Sequence, residues 1–520
     1  MFIHQPTKSL VLKVDDPFAV RELLPKSRVI DHPDYNVAVK HTPESCRVLQ
    51  NIGLNVPTPM QTSYRWPGKY TPFAHQKVMA EFLATRQRAF NLSEMGVGKS
   101  AAALWAADYL MDQGSIQKVL ILSPLSTLRR VWVNDIFDVL MHRVASVVHG
   151  TREQREDALK VNADFYILNH DGVKIKTIAE AIRRRPDINL VVVDEGSMFR
   201  NHDSQKYKSL VKMLRDDMRV WWLTGTPCPN APTDAWSQAK IINPGRVPAY
   251  FGAFKRQTMA QVTTFKWVPR PDAYTVAFEA MQPAVRFKKA ECLDLPPVVT
   301  VDREASMSRE QRAAFEEMRS TMVAEAKERQ ITAVNAADKI NKLRQILCGS
   351  VKDPSTDTYI SLPHAERTKV LMESVAEASA KVIVVVPFKG IIRELEKEIS
   401  KQYSVGVLNG DVSPKMRDRI ILDFKTTSDP HVLLCHPKVM AHGLNLTEAD
   451  TLIFYAPIYS NDEFQQVTER FNRTGQTRKM TIVRIAAHPV EWRIYDVVDN
   501  KKVTQDNILN LYKSVTDLGD

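Results

Sequence analysis

Short apolar runs recur along the chain, and each is followed by a segment long enough for a helix. In the first half the runs read RAFNLS, KVLILSP, DFYILNH, LVVVDE and VWWLTG. After about residue 380 they return as KVIVVVPF, SVGVLNG, HVLLCHP, TLIFYAP and TIVRIAA. Continuous apolar strands separated by helices are typical of a parallel sheet that is covered on both faces. The sequence therefore predicts an α/β fold with two parallel-sheet lobes.

The domain organisation follows from this repetition. The 520 residues are too many for a single hydrophobic core, so more than one domain is expected. Residues 1–66 are predicted to form a small α+β accessory module, which ends in a Pro-rich linker. We expect the first lobe at 67–281 and the second lobe at 282–520. Long polar helices predict a helical insertion at about 308–348 within the second lobe.

The net charge and the cysteine content limit the kinds of partner and metal site that this protein could have. The formal net charge is +11, which fits either a basic surface without a special role or a polyanionic partner such as nucleic acid. The five cysteines form no C-x-x-C pair, which argues against a zinc site and a disulfide framework. Neither a signal peptide nor an apolar run of membrane-spanning length is evident. We expect a cytoplasmic protein, in a bacterium or a phage-infected host cell, with no membrane partner.

The stretch SEMGVGKS, residues 93–100, matches a phosphate-binding loop except at its first position. The pattern G-x-x-x-x-G-K-[ST] requires a glycine where Ser93 stands. The stretch nevertheless follows an apolar strand and precedes a strong helix, which is the context that this motif needs. Gly96 and Gly98 would let backbone N–H groups turn toward phosphate oxygens. The alternative is a glycine turn that precedes a helix by chance.

Two side chains next to this loop have the chemistry to act on a nucleoside triphosphate. Lys99 is placed to reach the β- and γ-phosphates, and the Ser100 hydroxyl can bind Mg²⁺. Downstream, the buried strand of NLVVVDEGS ends in Asp194 and Glu195. Unpaired acids are costly to bury, so this pair is expected at the carboxyl edge of the sheet, where ligands bind. Asp194 would hold Mg²⁺ and Glu195 would polarise the attacking water, unless both are merely exposed loop acids.

A polar stripe in the second lobe is a candidate for the remaining positive charge. Gln466, Arg470 and Arg473 in QVTERFNRTGQ follow one another at i, i+4 and i+7. Such a stripe is usually a solvated helix face. It is also the arrangement of arginine fingers, which stabilise the transition state of phosphoryl transfer.

The order of these motifs resembles superfamily 2 helicases, and among them the Swi/Snf-type DNA translocases. That family's loop reads D-E-M-G-L-G-K-T, so the missing first glycine is missing there too. The similarity covers about residues 67–515 and runs through segments in family order: PFAHQ, ILSPLSTLRRVWVNDI, VVVDEGSMFRN, LTGTPCPN, RFKKAECLDLPP, NGDVSPKMRDRIILDF, HGLNLTEADTLIFYAP, QVTERFNRTGQ and HPVEWRIYDVVDNKK.

The resemblance implies two RecA-like lobes, use of ATP with Mg²⁺, and a set of site residues. Lys99, Asp194, Glu195, Arg470 and Arg473 would be catalytic. The nucleotide would contact Gln76, Glu94, Met95, Gly96, Val97, Gly98, Lys99, Ser100 and Gln466. DNA would contact Pro124, Thr127, Asn169, Thr226, His442, Gly443 and Asn445, and the segment that carries the first two includes Trp132.

The sequence departs from the family pattern at several positions, and the roles that the family implies are less certain to apply at those positions. Ser197 replaces the histidine that usually follows D-E-x, which bears on the coupling of hydrolysis to motion. Met440 and Ala441 stand where the family often has glycines. Residues 1–66 lie outside the shared core and loosely resemble the small module of annealing-helicase relatives, or else form a stabilising cap.

We therefore expect a monomeric ATP-dependent translocase or helicase that acts on duplex or branched DNA without sequence preference. Fork or junction remodelling and annealing, in replication, recombination or repair, would be its tasks. Two alternatives stay open at this stage. The chain would instead be the motor subunit of a larger defence or restriction assembly, or a DNA-stimulated ATPase that clamps DNA without travelling.

Overall fold

The computed structural model describes residues 1–263, 267–292, 296–328, 333–353, 356, 358–440, 446–472 and 476–499. The chain divides into two compact units, Met1–Cys292 (the first unit) and Leu293–Asp520 (the second unit). Within the described ranges, every helix is too short or too polar to cross a membrane.

The N-terminal module is a four-stranded antiparallel sheet with two helices. The strand order is β1-β2-β4-β3. Its elements are β1 (Phe2–His4), β2 (Ser9–Leu12), α1 (Pro17–Leu23), β3 (Arg28–His32), β4 (Tyr35–Lys40) and α2 (Pro43–Asn51). The sequence predicted β2, β4 and both helices but not β1 or β3. Both of the missed strands are mostly exposed and carry no buried apolar residue, so they leave no apolar pattern to read.

Helix α2 begins and ends where its sequence signals indicate. The Thr42 hydroxyl accepts a hydrogen bond from the Ser45 N–H at 3.2 Å, and Pro43 occupies the first helical position. Gly53, two residues beyond the helix, has a φ of +90°, which glycine adopts without strain. The capping residues therefore position this helix as predicted.

The Pro-rich segment after α2 is packed against the first lobe rather than solvated. It contains α3 (Pro59–Thr62) and leads to α4 (Ala74–Ala84) and α5 (Lys99–Asp112). The Tyr64 hydroxyl donates to Asp108 on α5 at 2.7 Å. Trp66 meets Trp105 edge to face at 5.8 Å, and the Trp105 indole donates to the Pro67 carbonyl at 2.9 Å. Aromatic side chains therefore attach the N-terminal module to the helix that follows the glycine-rich loop.

A seven-stranded, fully parallel sheet forms the core of the first lobe. Its strand order is β13-β5-β10-β9-β6-β8-β7. The strands are β5 (Arg88–Asn91), β6 (Lys118–Ser123), β7 (Ala145–Val148), β8 (Phe165–Asn169), β9 (Ile188–Val193), β10 (Arg219–Leu223) and β13 (Ala284–Val285). The helices that connect them are α6 (Asn134–Val139), α7 (Arg152–Lys160), α8 (Lys176–Arg183), α9 (Gln205–Met213) and α10 (Ala235–Ile242).

The last part of the first unit contains elements that the sequence did not predict. They are α11 (Phe251–Thr258), the antiparallel hairpin β11 (Met259–Gln261) and β12 (Trp267–Pro269), α12 (Ala273–Ala280) and α13 (Lys289–Cys292). Strand β13 pairs with β5, although our boundary at residue 282 assigned it to the second lobe. A strand of two residues carries no apolar run, so only its pairing reveals where it belongs.

The second unit contains a six-stranded, fully parallel sheet in the order β14-β21-β20-β17-β19-β18. Its strands are β14 (Val298–Glu304), β17 (Lys381–Val385), β18 (Val405–Leu408), β19 (Val432–Cys435), β20 (Ala449–Phe454) and β21 (Met480–Ala486), and β15 (Ser350–Lys352) and β16 (Tyr359–Ser361) form a separate hairpin. The helices are α14 (Arg309–Glu328), α15 (Ala333–Cys348), α16 (Ala365–Ala376), α17 (Lys389–Ile399), α18 (Pro414–Thr426), α19 (Pro437–Met440), α20 (Asn461–Phe471) and α21 (Pro489–Asp499). The predicted fold class, two parallel-sheet lobes, is thus confirmed.

Candidate functional site

Three polar loops meet at the carboxyl edge of the first lobe's sheet. They follow β5, β10 and β9, which are neighbours in the sheet with β10 in the middle. The loop after β5 is the glycine loop (residues 93–98), and the loop after β10 contains Gly225. A Cβ atom on Gly225 would lie 3.1 Å from Met95 Cγ and 3.5 Å from Lys99 Nζ. The sheet therefore brings the glycine loop and the Thr-Gly-Thr-Pro loop into direct contact.

The glycine loop has the backbone that a phosphate cradle requires. Gly96 and Gly98 have φ values of +81° and +84°, in the left-handed region that glycine adopts without strain. Gly98 is also the N-cap of α5, so the N–H groups of the first helical turn open onto the loop. Exposed N–H groups at the start of a 14-residue helix attract anions.

The side chain of Lys99 lies across the loop. Its Nζ donates to the carbonyl oxygens of Ser93 at 2.8 Å and Glu94 at 3.0 Å. The ammonium group is thus held where the chain turns, and an incoming phosphate would compete with two neutral carbonyls for it. Charge-assisted bonds to an anion are stronger than bonds to neutral acceptors, so this exchange favours a phosphate.

Gln76 contacts the loop from α4. Its Oε1 accepts a hydrogen bond from the Phe73 N–H at 2.9 Å, and its Nε2 lies 3.5 Å from the Val97 carbonyl. A Cβ atom on Gly98 would stand 1.9 Å from Gln76 Nε2, and the φ of +84° favours glycine there as well. The structure therefore brings the predicted base-reading glutamine against the predicted phosphate loop. Contact with the base itself stays a prediction.

The acid pair lies at the end of β9, and its environment is unusual for carboxylates. Asp194 Oδ2 accepts from the Trp132 indole at 3.0 Å, and its Oδ1 accepts from the Glu195 N–H at 3.0 Å. Burial raises the pKa of Asp194 to about 7, and the neighbouring Glu195 charge adds to the rise, while Trp132 and Lys99 oppose it. A carboxylate in this state gains from a nearby cation. Asp194 and the Ser100 hydroxyl are accordingly the groups that could hold a divalent metal beside a phosphate.

Glu195 occupies a strained backbone position. Its φ of +47° and ψ of +50° lie in the left-handed region, which non-glycine residues rarely adopt. The next residue, Gly196, packs against Trp222, since a Cβ atom there would lie 1.9 Å from the indole nitrogen. Such strain persists only where surrounding packing imposes it, and it concentrates at functional sites. The turn thus directs Glu195 away from the regular course of β9.

One member of this site was not predicted from the sequence. His170 follows β8, is 4% exposed, and its Nε2 lies 2.8 Å from the Asp194 carbonyl oxygen. Burial lowers the pKa of His170 to about 4, so the ring is neutral at pH 7 and donates to that carbonyl. The available signal was a histidine directly after an apolar strand, in FYILNH.

A distant segment holds the glycine loop in place. Residues 283–289, the return segment, run beside β5 and pair with it through β13. The Glu94 N–H donates to the Phe287 carbonyl at 3.0 Å, and the Phe287 N–H donates to the Ser93 hydroxyl at 3.0 Å. The Lys289 N–H donates to the Glu94 carboxylate at 3.0 Å. Ser93, the residue that departs from the phosphate-loop pattern, is thus the fully buried acceptor for this segment.

We expect Ser93→Ala to destabilise the first unit by about 1 kcal/mol, because the partly buried Phe287 N–H loses its acceptor. Hydrogen exchange of the glycine loop and return segment would measure the loss of protection. Ser115→Ala is the matched control, since Ser115 is exposed and its side chain makes no hydrogen bond among the described residues. Equal protection in the two variants would contradict this role for Ser93.

The predicted DNA-contacting residues of the first lobe have different degrees of exposure. Pro124 and Thr226 are partly exposed, whereas Thr127 is 7% and Asn169 is 8% exposed. The Asn169 amide oxygen already accepts from Arg155 at 3.1 Å. Trp132 is fully buried against Asp194, so its side chain supports the acid pair and does not reach a ligand on the surface. Direct DNA contact by the other four stays a prediction.

The predicted residues of the second unit are only partly described. Gln466 and Arg470 lie one turn apart on α20, and both are partly buried. Helix α20 ends at Phe471. Five of the residues named from the sequence lie outside the described residues: Ala441, His442, Gly443, Asn445 and Arg473. Met440 is fully buried at the end of α19.

A glycine loop, a lysine and an acid pair at one edge of a parallel sheet define the class of α/β nucleotide hydrolases. The family models narrow this class. The SNF2-related domain matches residues 75–353, and the helicase conserved C-terminal domain matches residues 365–475. The chain belongs to the SNF2-related family of superfamily 2 helicases.

Curated relatives agree with this assignment, and a solved structure shares the fold. The chain is similar to an uncharacterized ATP-dependent helicase of Mycoplasma genitalium, with 26% identity over 81% of this chain and 41% of that protein. It also resembles the putative protein p41 of Acyrthosiphon pisum secondary endosymbiont phage 1, with 24% identity over 85% of this chain and 99% of that protein. The chain therefore spans about two fifths of the mycoplasma helicase. Yeast Dbp5 bound to RNA and ADP BeF3 shares the fold, with 14% identity, a TM-score of 0.51 and coverage of 86% and 94%.

Proposed function

We propose that this protein is an ATP-dependent motor that moves along duplex or branched DNA and remodels forks or junctions. The observation that carries the proposal is the meeting of the glycine loop, Lys99 and the acid pair at one sheet edge. The net charge of +11 supports a sequence-independent, phosphate-directed contact with DNA. Relatives named DNA annealing helicase and endonuclease, from mouse and human, support the choice of task at 23% and 21% identity.

In the proposed mechanism, the first unit binds and positions the nucleotide. The glycine loop and the start of α5 hold the phosphates, and Lys99 transfers its two carbonyl bonds to phosphate oxygens. Mg²⁺, held by Ser100 and Asp194, would neutralise phosphate charge when bound. The raised pKa of Asp194 is what supports this assignment, because a cation relieves the buried negative charge. Gln76 would read the base.

The chemical step is assigned to Glu195 and to the arginines of the second unit. Glu195 would orient the attacking water, and its left-handed backbone sets the direction in which its side chain leaves β9. Gln466, Arg470 and Arg473 would contact the phosphates, and the two arginines would stabilise the charge that develops in the transition state. The support for the second-unit residues is their motif, which the family shares.

Glu195→Gln should reduce ATP hydrolysis by about 10²–10⁴-fold, which is the usual contribution of a general base. ATP binding and DNA binding should remain close to wild type, because the amide keeps the shape of the side chain. Steady-state turnover and binding of a fluorescent ATP analogue measure the two effects. Glu153→Gln, on the exposed face of α7, is the matched control. Turnover retained within tenfold in Glu195→Gln would contradict the assignment.

Two substrates distinguish the proposed motor from its alternatives. A third strand bound to a long duplex is displaced only by a protein that travels, and a model fork becomes a four-way junction only if it is remodelled. We expect ATP-dependent activity on both. If the protein displaces the third strand but does not convert the fork, it is a translocase that does not remodel forks, such as the motor subunit of a larger assembly. DNA-stimulated hydrolysis without either activity would identify a stationary clamp.

A further inference from the structure

A second basic surface lies outside the nucleotide site, on the part of the first unit that follows α10. Between Asp234 and Asp272 the chain contains six Lys or Arg residues and no acidic residue. They are Lys240, Arg246, Lys255, Arg256, Lys266 and Arg270. The segment folds into α10, α11 and the hairpin β11–β12, and Lys266 lies outside the described residues.

Three of these residues surround the base of the hairpin. Arg256 and Arg270 are exposed and line an open concavity of about 480 Å³ together with Gln257, Val276 and one acid, Asp272. The Arg270 Nε donates to the carbonyl oxygens of Arg256 at 3.1 Å and Met259 at 3.3 Å, which fixes its position. Lys255 lies over the Trp267 ring at 4.2 Å from the centroid.

These charges are not neutralised within the described part of the chain. Lys255 is in contact with an aromatic ring, Arg270 with backbone carbonyls, and neither is paired with a carboxylate among the described residues. Arg256 likewise has no acidic partner there. By contrast, the exposed arginines at 152 and 419 each pair with an acid one turn away. A cluster of cations without carboxylate partners creates a positive potential, which favours the binding of an anionic partner.

We propose that the surface formed by Lys255, Arg256 and Arg270 (the hairpin surface) binds the phosphate backbone of DNA, separately from the motif loops at the sheet edge. The proposal rests on the proposed function, because it adds a second point of contact for the same DNA. Sugar–phosphate contacts by Lys and Arg position a nucleic acid without reading its sequence. A second contact of this kind would hold one arm of a branched substrate.

The test compares two double variants of the full chain that lose the same charge. Lys255→Gln/Arg256→Gln removes two cations from the hairpin surface. Lys397→Gln/Lys401→Gln (the α17 variant) removes one cation from α17 and one just beyond its end, next to Glu394, Glu396 and Glu398, which make a DNA contact unfavourable. The dissociation constant for a fluorescent 30-base-pair duplex and for a fork of the same length is measured at several salt concentrations. Arg256→Gln alone guards against misfolding, since this side chain is exposed.

We expect the hairpin double variant to bind the fork about tenfold more weakly at low salt, with a salt slope smaller by about 1–2, as for the loss of one or two phosphate contacts. Its DNA-free ATPase rate should equal wild type, and the DNA concentration for half-maximal stimulation should rise about tenfold. The α17 variant should match wild type in all of these measurements.

Identical salt slopes and affinities in the two double variants would overturn the hairpin surface as a DNA contact while leaving the proposed function intact. Binding of fluorescent polyglutamate is measured for the same variants. If the hairpin variant loses polyglutamate binding while its DNA binding is unchanged, the hairpin surface is a contact for an acidic protein and the DNA proposal is overturned. Failure of the wild-type chain to bind any of these DNAs would overturn the proposed function and, with it, the hairpin surface.

Discussion

Lys99→Ala is expected to reduce ATP hydrolysis by about 10²–10³-fold, which is the typical effect of removing one group that stabilises transition-state charge. The Lys99 ammonium lies 2.8 Å and 3.0 Å from the carbonyl oxygens of Ser93 and Glu94, at the mouth of the glycine loop. Its removal leaves no other lysine or arginine within residues 89–117 to meet the phosphates. Nucleotide affinity should therefore fall together with turnover.

Lys118→Ala is the control for Lys99→Ala. Lys118 also donates to two oxygens, those of Asn162 and Ala163, but it starts β6 at the opposite edge of the sheet. Turnover, ATP-analogue binding and duplex binding are measured for both variants. Both should bind DNA, and only Lys99→Ala should lose hydrolysis. Turnover of Lys99→Ala within tenfold of the control would refute the phosphate role of Lys99.

The largest expected effect on stability comes from the second unit, where Arg367 on α16 and Glu491 on α21 form a fully buried ion pair. The guanidinium donates to both carboxylate oxygens, at 2.9 Å and 3.1 Å. Its remaining donors reach the backbone carbonyls of Tyr455, Leu347 and Ile485. Burial alone would lower the pKa of Arg367, but Glu491 raises it above its ordinary value, so the pair stays charged.

Arg367→Met should therefore lower the free energy of unfolding of the second unit by about 3–5 kcal/mol, because it leaves the Glu491 carboxylate buried without its partner. Seven of the eight tryptophans lie in the first unit, so fluorescence reports mainly on that unit. Hydrogen exchange is measured for each segment of the chain, so it reports on the stability of each unit separately. Protection should fall in α16, β21 and α21 and remain unchanged in β5 and α5.

Two further variants make this stability prediction specific. Arg152→Met removes an exposed ion pair with Glu156 and should leave the free energy of unfolding close to wild type, because solvent screens this pair. The double variant Arg367→Met/Glu491→Met removes both buried charges and should recover part of the loss, because no unpaired charge remains. If Arg367→Met is no less stable than Arg152→Met, the buried pair does not have the role assigned to it.

Five strands of each sheet were predictable because burial on two faces requires continuous apolar runs. Strands β7 and β14 are only partly buried, and the sequence did not predict them. Strands β5, β6, β8, β9 and β10 all begin within two residues of such a run. Strand β13 and the hairpin β11–β12 were not predictable, since strands of two or three residues carry too little pattern. The ion pair of Glu491 was not predictable either. Its segment resembles a family motif, but the buried partner Arg367 lies 124 residues away and has no local signature.

The sequence by itself determined the features that depend on neighbours in the chain. These are the two series of buried strands, the caps of α2, and the Gly-x-Gly-Lys-Ser turn whose glycines accept a positive φ. Only the tertiary structure decided which distant groups meet: Gln76 against Gly98, Trp132 on Asp194, and Phe287 on Ser93 across 194 residues. The physical reason is that backbone preference acts within a few residues, whereas each of these contacts depends on how every element between its partners packs.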